Sequence, residues 1–279
     1  MDIKKKQELS EIARQIRIGV VSSTNAAGCG HPGGSLSIAE VLAWLYFGGE
    51  MKIDPKDPKW DERDRLVLSK GHAAPGLYSA LALRGFFPKE DLLTLRKLGS
   101  HLQGHPNMHK TPGIDMSTGS LGQGISAACG MATAAKLDKK DYRVYAIVGD
   151  GESQEGEVWE AAMYAAHFKL DNLCAIIDLN GLQIDGKVSD VMGIEPMDKK
   201  FAAFGWNVFT CDAHDFDSVE KAFADARAAK GAPSVILSRS VKGKGVSFME
   251  NNAGWHGKAT KPEEFEQAMA ELEKEAQNG

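Results

Sequence analysis

Five short apolar runs decide what this chain can fold into: RLVLS (65–69), RVYAIVG (143–149), NLCAIIDLN (172–180), GWNVFTC (205–211) and SVILSRS (234–240). Each is continuous rather than alternating, the pattern of a strand buried on both faces. Between and around them lie segments with helical patterning: 5–26, 37–47, 76–85, 88–98, 121–136, about 153–168, 217–230, and a polar tail from Pro262 to about Ala276. Ser37 followed three residues on by Glu40 predicts a capping box at the start of the second helix. Strand alternating with helix implies an α/β fold, a doubly wound, mostly parallel sheet with helices on both faces. No repeat or low-complexity linker divides the sequence. Residues 1–279 are therefore expected to form a single domain with helical extensions at both ends.

Sheets of this kind bind ligands outside the carboxyl ends of their strands. Four of those ends carry glycine plus a polar or charged residue: KGHAAPG after 69, DGESQEG after 149, NGLQIDG after 179 and KGKGVSF after 240. Their convergence on one rim points to a site. The net charge of −5, with no basic stripe interleaved with aromatics, argues against nucleic acid as the main partner. No apolar run is long enough to cross a bilayer, and no signal peptide is read at the start. Cys29, Cys129, Cys174 and Cys211 are scattered without paired spacing, as expected for reduced thiols in a cytoplasmic protein rather than a disulfide or metal set.

The stretch AIVGDGESQEG (146–156) is the most informative single one. Gly149 and Gly151 leave room for a ligand and open backbone angles closed to other residues. The helix that follows offers free N–H groups to an anion. Thirty residues on, the next strand ends at Asn180. Two parallel strands joined by one helix place Asp150 and Asn180 side by side at one rim. Their hard oxygens, with a backbone carbonyl near residue 182, suit Mg²⁺ and leave coordination positions for a diphosphate. Gly-Asp-Gly alone, or Asn180-Gly181 alone, also reads as a tight turn; the spacing of the two carries the argument.

GDG followed some thirty residues later by Asn resembles the thiamine-diphosphate signature, and GDGESQEGEVWEAA…DLNGLQIDG is similar to its transketolase form. The resemblance continues through GHPGG, SKGHAAPGLYS, GHP…TGSLGQG and WHGK, so it covers nearly the whole chain. It implies the thiamine-diphosphate-binding fold of a PP-type domain, with thiamine diphosphate and Mg²⁺ (or Ca²⁺ or Mn²⁺) as cofactors. By resemblance Asp150, Asn180 and the carbonyl of Leu182 bind the metal. Gly119, Ser120 and Leu121 line the cofactor, and Gly149, Gly151 and Glu152 belong to the same binding set. His31 and His105 are implied to face the sugar; His72 and His256 hold the diphosphate or assist proton transfer. Those four of the eight histidines stand in Gly/Pro loops, where a fold can aim a polar side chain into a cleft. His101, His109, His167 and His214 lack such flanks and read as surface or satisfied core residues. Lys242 and Lys244 read either as solvated loop charges or as diphosphate neighbours. Glu155 is implied to join a carboxylate cluster at a subunit interface and is counted with the catalytic candidates, whereas Glu160 reads as an exposed helix charge.

The resemblance covers the diphosphate-binding domain alone. In transketolases the glutamate that activates the cofactor's pyrimidine belongs to a second domain of a neighbouring subunit. The expectation is an N-terminal subunit of a split transketolase, moving a two-carbon ketol unit between ketose and aldose phosphates of the pentose phosphate pathway. It would be inert without a separate C-terminal subunit, and would assemble around a homodimer core or as a heterotetramer. Two alternatives stay open: a split ketolase for a sulfo- or deoxy-sugar phosphate, and a non-catalytic cofactor-binding or regulatory subunit. A dinucleotide-binding oxidoreductase is disfavoured, because GSLGQG follows a loop rather than a strand.

Overall fold

The computed structural model describes residues 1–278. The chain begins with helices α1 (Ile3–Ala27), α2 (Pro32–Leu36) and α3 (Ala39–Phe47), then strand β1 (Arg65–Leu68) and helix α4 (Ala74–Arg84). Next come α5 (Gln123–Leu137), β2 (Val144–Gly149), α6 (Gly156–His167) and β3 (Leu173–Leu179). A small hairpin, β4 (Leu182–Gln183) and β5 (Gly186–Lys187), leads into α7 (Val188–Val191) and α8 (Met197–Ala203). β6 (Asn207–Asp212), α9 (Phe216–Ala228), β7 (Ser234–Arg239) and α10 (Pro262–Asn278) complete the chain.

All five long strands are parallel, in the order β1-β2-β3-β7-β6. Alternation along each strand sorts the side chains between two cores. Leu66, Leu68, Tyr145, Ile147, Cys174, Ile176 and Ile236 pack against α1, α3, α4 and α9. Val67, Val144, Ala146, Val148, Leu173, Ala175, Ile177, Val235 and Leu237 pack against α5, α6 and α8. Every residue of β2 is buried, which is why the apolar run has no polar alternation. Gly149 pairs with Asp178 and Asp178 with Ser238, so the carboxyl ends of β2, β3 and β7 finish level on one rim.

Two local expectations fail. Ser37 does not cap α3: the N-cap is Ile38, and no side chain caps it. The Ser37 hydroxyl instead donates to the buried Asp178 carboxylate at 2.7 Å, and Glu40 pairs with Arg17 at 2.5 Å. Tertiary partners with buried charge outcompete the local bond. Residues 88–98 form only a 3₁₀ turn, Lys89–Thr94, followed by turns around Arg96 (φ 61°). Leu92 and Leu95 are buried while Leu93 and Leu98 face solvent, so there is no apolar stripe to support a longer helix.

Truncating a strand residue should expose how much the central sheet carries. Ile147→Ala, at a fully buried position of β2, should cost about 2–5 kcal/mol in urea unfolding, whereas Leu98→Ala should change stability by no more than about 0.5 kcal/mol.

Candidate functional site

Asp150 caps the turn that leaves β2. It is only 3% exposed, yet its carboxylate accepts backbone N–H groups alone: Gly151 at 2.8 Å and Gly181 at 2.5 Å. The second bond ties the tip of β2 to the tip of β3, so Asp150 and Asn180 are neighbours. Gly181 takes φ 76°, the left-handed turn that brings its N–H round to Asp150. Gly149 and Gly151 do not use such angles; a Cβ on Gly151 would lie 3.1 Å from Gln183, so what glycine provides there is space. Burial, and then the negative charge of Asp178, push the Asp150 carboxyl up to about 6. A buried carboxylate bonded only by amides is short of positive charge. With the Asn180 side-chain oxygen and the Leu182 carbonyl it makes a donor set suited to a hard divalent cation. Among the described residues no group of three or more His, Cys, Asp or Glu could hold a metal by itself. A cation here would therefore draw part of its shell from elsewhere, as a diphosphate would provide.

Behind this rim lies a buried ionic hub. Asp178, 1% exposed, accepts from Lys70 Nζ at 2.6 Å, Ser37 Oγ at 2.7 Å, Asn180 Nδ2 at 2.8 Å and Ser240 Oγ. Burial works to raise its pKa, but the Lys70 ammonium and these hydrogen bonds hold it below the usual carboxylate value. Lys70 also donates to the Gly34 carbonyl at 2.7 Å, joining the loop after β1 to α2. A second buried carboxylate, Glu152, accepts from Ser69 Oγ (2.6 Å), Gly149 N (2.8 Å) and Gly122 N (2.9 Å). Its oxygens are engaged by protein donors, which makes Glu152 a brace between three loops. Neither Lys70 nor Asp178 stood out in the sequence. The available signals were a charge inside the apolar run AIIDL and a lysine directly after a strand.

The four loop histidines meet in space. Ring centroids are 5.3 Å apart for His31–His72, 5.4 Å for His31–His256, 4.9 Å for His72–His256 and 6.4 Å for His31–His105. Gly119 (φ 148°) backs onto the His105 ring, where a Cβ would approach to 3.2 Å. The His31 Nδ1 is buried without a hydrogen-bond partner, an orphaned polar atom of the kind a ligand satisfies. Burial is the main cause that lowers these rings: His31 to about 4, His72 to about 2, His256 to about 3, and His105 to below its usual value. Neighbouring cations add to this: Lys70 for His72, Lys242 for His256, and the exposed Arg96 for His31 and His105. The cluster is thus uncharged at neutral pH, able to donate and accept without carrying charge into the cleft.

Lys242 joins this group. It is buried, and its Nζ lies 3.1 Å from the Leu182 carbonyl and 3.0 Å from His256 Nδ1; burial, then Lys70, lower its pKa to about 8. Lys244 does not join it. Its Nζ lies 3.5 Å from Glu250, and it lines a separate cavity with Arg17, Glu40 and His214. Glu155 is exposed at the N-cap of α6, beside Gly122, and Glu160 is exposed as well. Ser120 is exposed and Leu121 is 37% exposed, so that loop presents an open surface. Cys129, Cys174 and Cys211 are buried free thiols, and Cys29 is an exposed one.

The family model for the transketolase thiamine diphosphate binding domain matches residues 8–278. The chain belongs to the transketolase family. It is 51% identical over 268 residues to the 6-deoxy-6-sulfo-D-fructose transketolase subunit SqwG of Clostridium sp. (strain MSTE9), covering 96% of this chain and 97% of that one. It is 43% identical over 263 residues to an apulose-4-phosphate transketolase subunit of Phocaeicola vulgatus, covering 94% and 92%. The solved transketolase of Campylobacter jejuni superposes with a TM-score of 0.89 at 34% identity, covering 98% of this chain and 43% of that one. The chain thus spans less than half the length of that transketolase and nearly the full length of the two subunits. The doubly wound fold inferred from the apolar runs is that of the family.

The neutral histidines contribute to the acid limb of stability. Below pH about 6.5 the unfolded chain protonates His72 while the folded chain does not, so stability falls as pH falls, by at most about 1.4 kcal/mol per pH unit from that ring. His72→Gln should flatten the slope of unfolding free energy between pH 6.5 and 4.5, measured by urea denaturation; an unchanged slope would contradict the assignment.

Proposed function

We propose that this chain is the diphosphate-binding subunit of a two-chain transketolase that uses thiamine diphosphate and a divalent cation, Mg²⁺ in the first instance. The observation that carries the reading is the Asp150–Asn180 pair: a buried carboxylate bonded only by backbone N–H groups, linked through the Leu182 carbonyl and Lys242 to a cluster of uncharged histidines. Asp150, Asn180 and the Leu182 carbonyl would hold the metal, and Lys242 and His256 would contact the diphosphate. His31 and His105 would orient the sugar's hydroxyl and carbonyl oxygens, and His72 would join His256 at the diphosphate or assist proton transfer. The cofactor supplies the carbanion-stabilising chemistry when bound. Close to pH 7 the neutral rings can donate or accept hydrogen bonds at those oxygens without bringing a charge into the cleft.

The split arrangement is supported by two similar chains of matching length that are named as subunits. A separate C-terminal chain would supply the glutamate that activates the pyrimidine. Exposed apolar side chains at the end of α5 and on and just after α6, Leu137, Met163 and Phe168 at 77%, 59% and 51% exposure, are available to that partner or a second copy. Among the described residues no helix is long and apolar enough to cross a membrane. The substrates proposed here, phosphorylated or sulfonated sugars, put the chain in cytoplasmic carbohydrate metabolism. A second reading concerns which of these substrates it takes. The higher identity to the sulfofructose subunit, 51% against 43% for the apulose one, favours a sulfo-sugar donor over a pentose phosphate.

Three outcomes test this. The purified chain alone should show no ketol transfer, and activity should appear when its C-terminal partner is added; full activity of the lone chain would overturn the split reading. Asp150→Ala should remove Mg²⁺-dependent thiamine diphosphate binding in calorimetry while the circular dichroism spectrum stays native. Because the Asp150 carboxyl sits at about 6 without the metal, cation-dependent binding should weaken as pH falls through 6. A substrate panel with the reconstituted pair separates sulfo-sugar from sugar-phosphate donors.

A further inference from the structure

His214 reads from its sequence surroundings as an ordinary surface or core histidine, and the structure gives it a different place. It lies in the turn leaving β6, next to Ala213, whose N–H donates to the Arg239 carbonyl at 2.8 Å. The His214 Nε2 accepts the Val241 N–H at 2.9 Å. Its Nδ1 lies 3.1 Å from the buried Glu40 Oε2, and the other Glu40 oxygen takes Arg17 Nη2 at 2.5 Å. Accepting a backbone N–H at Nε2 fixes the tautomer with the proton on Nδ1, which lies close to Glu40 without an aligned hydrogen bond to it. Burial works to raise the Glu40 carboxyl, but Arg17 and His214 bring it down to about 2, so the acceptor stays ionised.

Val241 sits between Ser240, which reaches Asp178, and Lys242, which reaches the Leu182 carbonyl and His256. The segment leaving β7 is thus gripped on one side by the turn after β6. The Arg17–Glu40 pair, from α1 and α3, packs behind the histidine that grips it. We propose that His214 is a positioning residue: with Glu40 and Arg17 behind it, it sets the backbone from which Lys242 projects into the cofactor cleft. The role for the cofactor rests on the thiamine diphosphate reading given above; the placement of Lys242 does not. Lys242 is held from its other side by Gly243 N to the Gly33 carbonyl (3.0 Å) and by Asn251 N to its own carbonyl (2.9 Å). On the strand side the His214 bond follows directly on the Ser240 anchors, its hydroxyl to Asp178 and its N–H to the Leu179 carbonyl (3.2 Å), and is the bond next to Lys242.

The side-chain geometry selects the variants. An asparagine amide matches the Nδ1 position and stops short of Val241, whereas a glutamine carbonyl reaches the Nε2 position and can accept the Val241 N–H. The purified chain is acylated with an N-hydroxysuccinimide ester, and the rate at Lys242 is read by mass spectrometry relative to the exposed Lys221. His214→Asn should raise the Lys242 rate at least about 5-fold with a near-native melting temperature, and His214→Gln should return it to within about 2-fold of wild type. Calorimetry with thiamine diphosphate and Mg²⁺ should show about 10-fold weaker binding for His214→Asn and recovery for His214→Gln. Lys242 equally protected and the cofactor equally tight in His214→Asn would overturn the proposal. Wild-type chain that fails to bind the cofactor would count against the cofactor reading alone, and the acylation rates would still decide the positioning role. Amide hydrogen exchange at Val241 of the wild-type chain, independent of any variant's folding, should be slow; exchange at the rate of an open loop would also overturn it.

Discussion

Asp178 places a full negative charge inside a five-stranded parallel sheet, and the carboxyl rim is organised by its neutralisation. An unpaired carboxylate at that depth would cost several kcal/mol. Lys70, itself 2% exposed, removes most of that cost, and the hydroxyls of Ser37 and Ser240 with the amide of Asn180 take the remaining lone pairs. Each donor arrives from a different segment: the loop after β1, the C-terminal end of α2, the end of β7 and the end of β3. Satisfying one carboxylate therefore fixes four loops relative to one another. Such pairs are better at specifying an arrangement than at adding net stability.

That arrangement has an electrostatic consequence one strand away. Lys70 balances Asp178, yet the Asp178 charge still adds to the burial that raises the Asp150 carboxyl. Of the three buried carboxylates at the rim, Glu152 is satisfied by Ser69, Gly122 and Gly149, and the Lys70 ammonium directly contacts only Asp178. Lys242 approaches from the far side, but its nitrogen bonds the Leu182 carbonyl and His256 rather than any of these acids. The deficit at Asp150 is local and is the kind a divalent ion fills. The histidines next to it are kept neutral by the same low-dielectric surroundings and by the cations, so one environment prepares both an ion site and an uncharged proton-handling cluster.

Much of this was legible in the residues. Continuous apolar runs point to the parallel sheet, because a strand covered on both faces has no polar face to alternate with. The pairing of Asp150 with Asn180 followed from strand–helix–strand spacing, and the four histidines stood out through their Gly/Pro loops. What stayed hidden depends on partners far away in sequence. Ser37 and Glu40 spell a capping box, but Asp178, 141 residues from Ser37, and Arg17 claim them. Lys70 carries no local signal, and Lys242 reads as either a solvated charge or a diphosphate neighbour until the fold shows both buried. Segment 88–98 has the composition of a helix but only scattered buried leucines, which support a short 3₁₀ turn. His214 has no glycine or proline beside it, and its importance comes from a backbone N–H of residue 241 that no local pattern announces.

The position of the metal decides between this reading of the rim and any other. The direct measurement is a crystal structure of the chain soaked with thiamine diphosphate and Mn²⁺, with the ion located by its anomalous scattering. The expected result is one strong peak at the tips of β2 and β3, about 2.0–2.2 Å from oxygens of Asp150, Asn180 and Leu182 and from the diphosphate. A peak bound elsewhere, or a diphosphate seated without a metal at those tips, would contradict it.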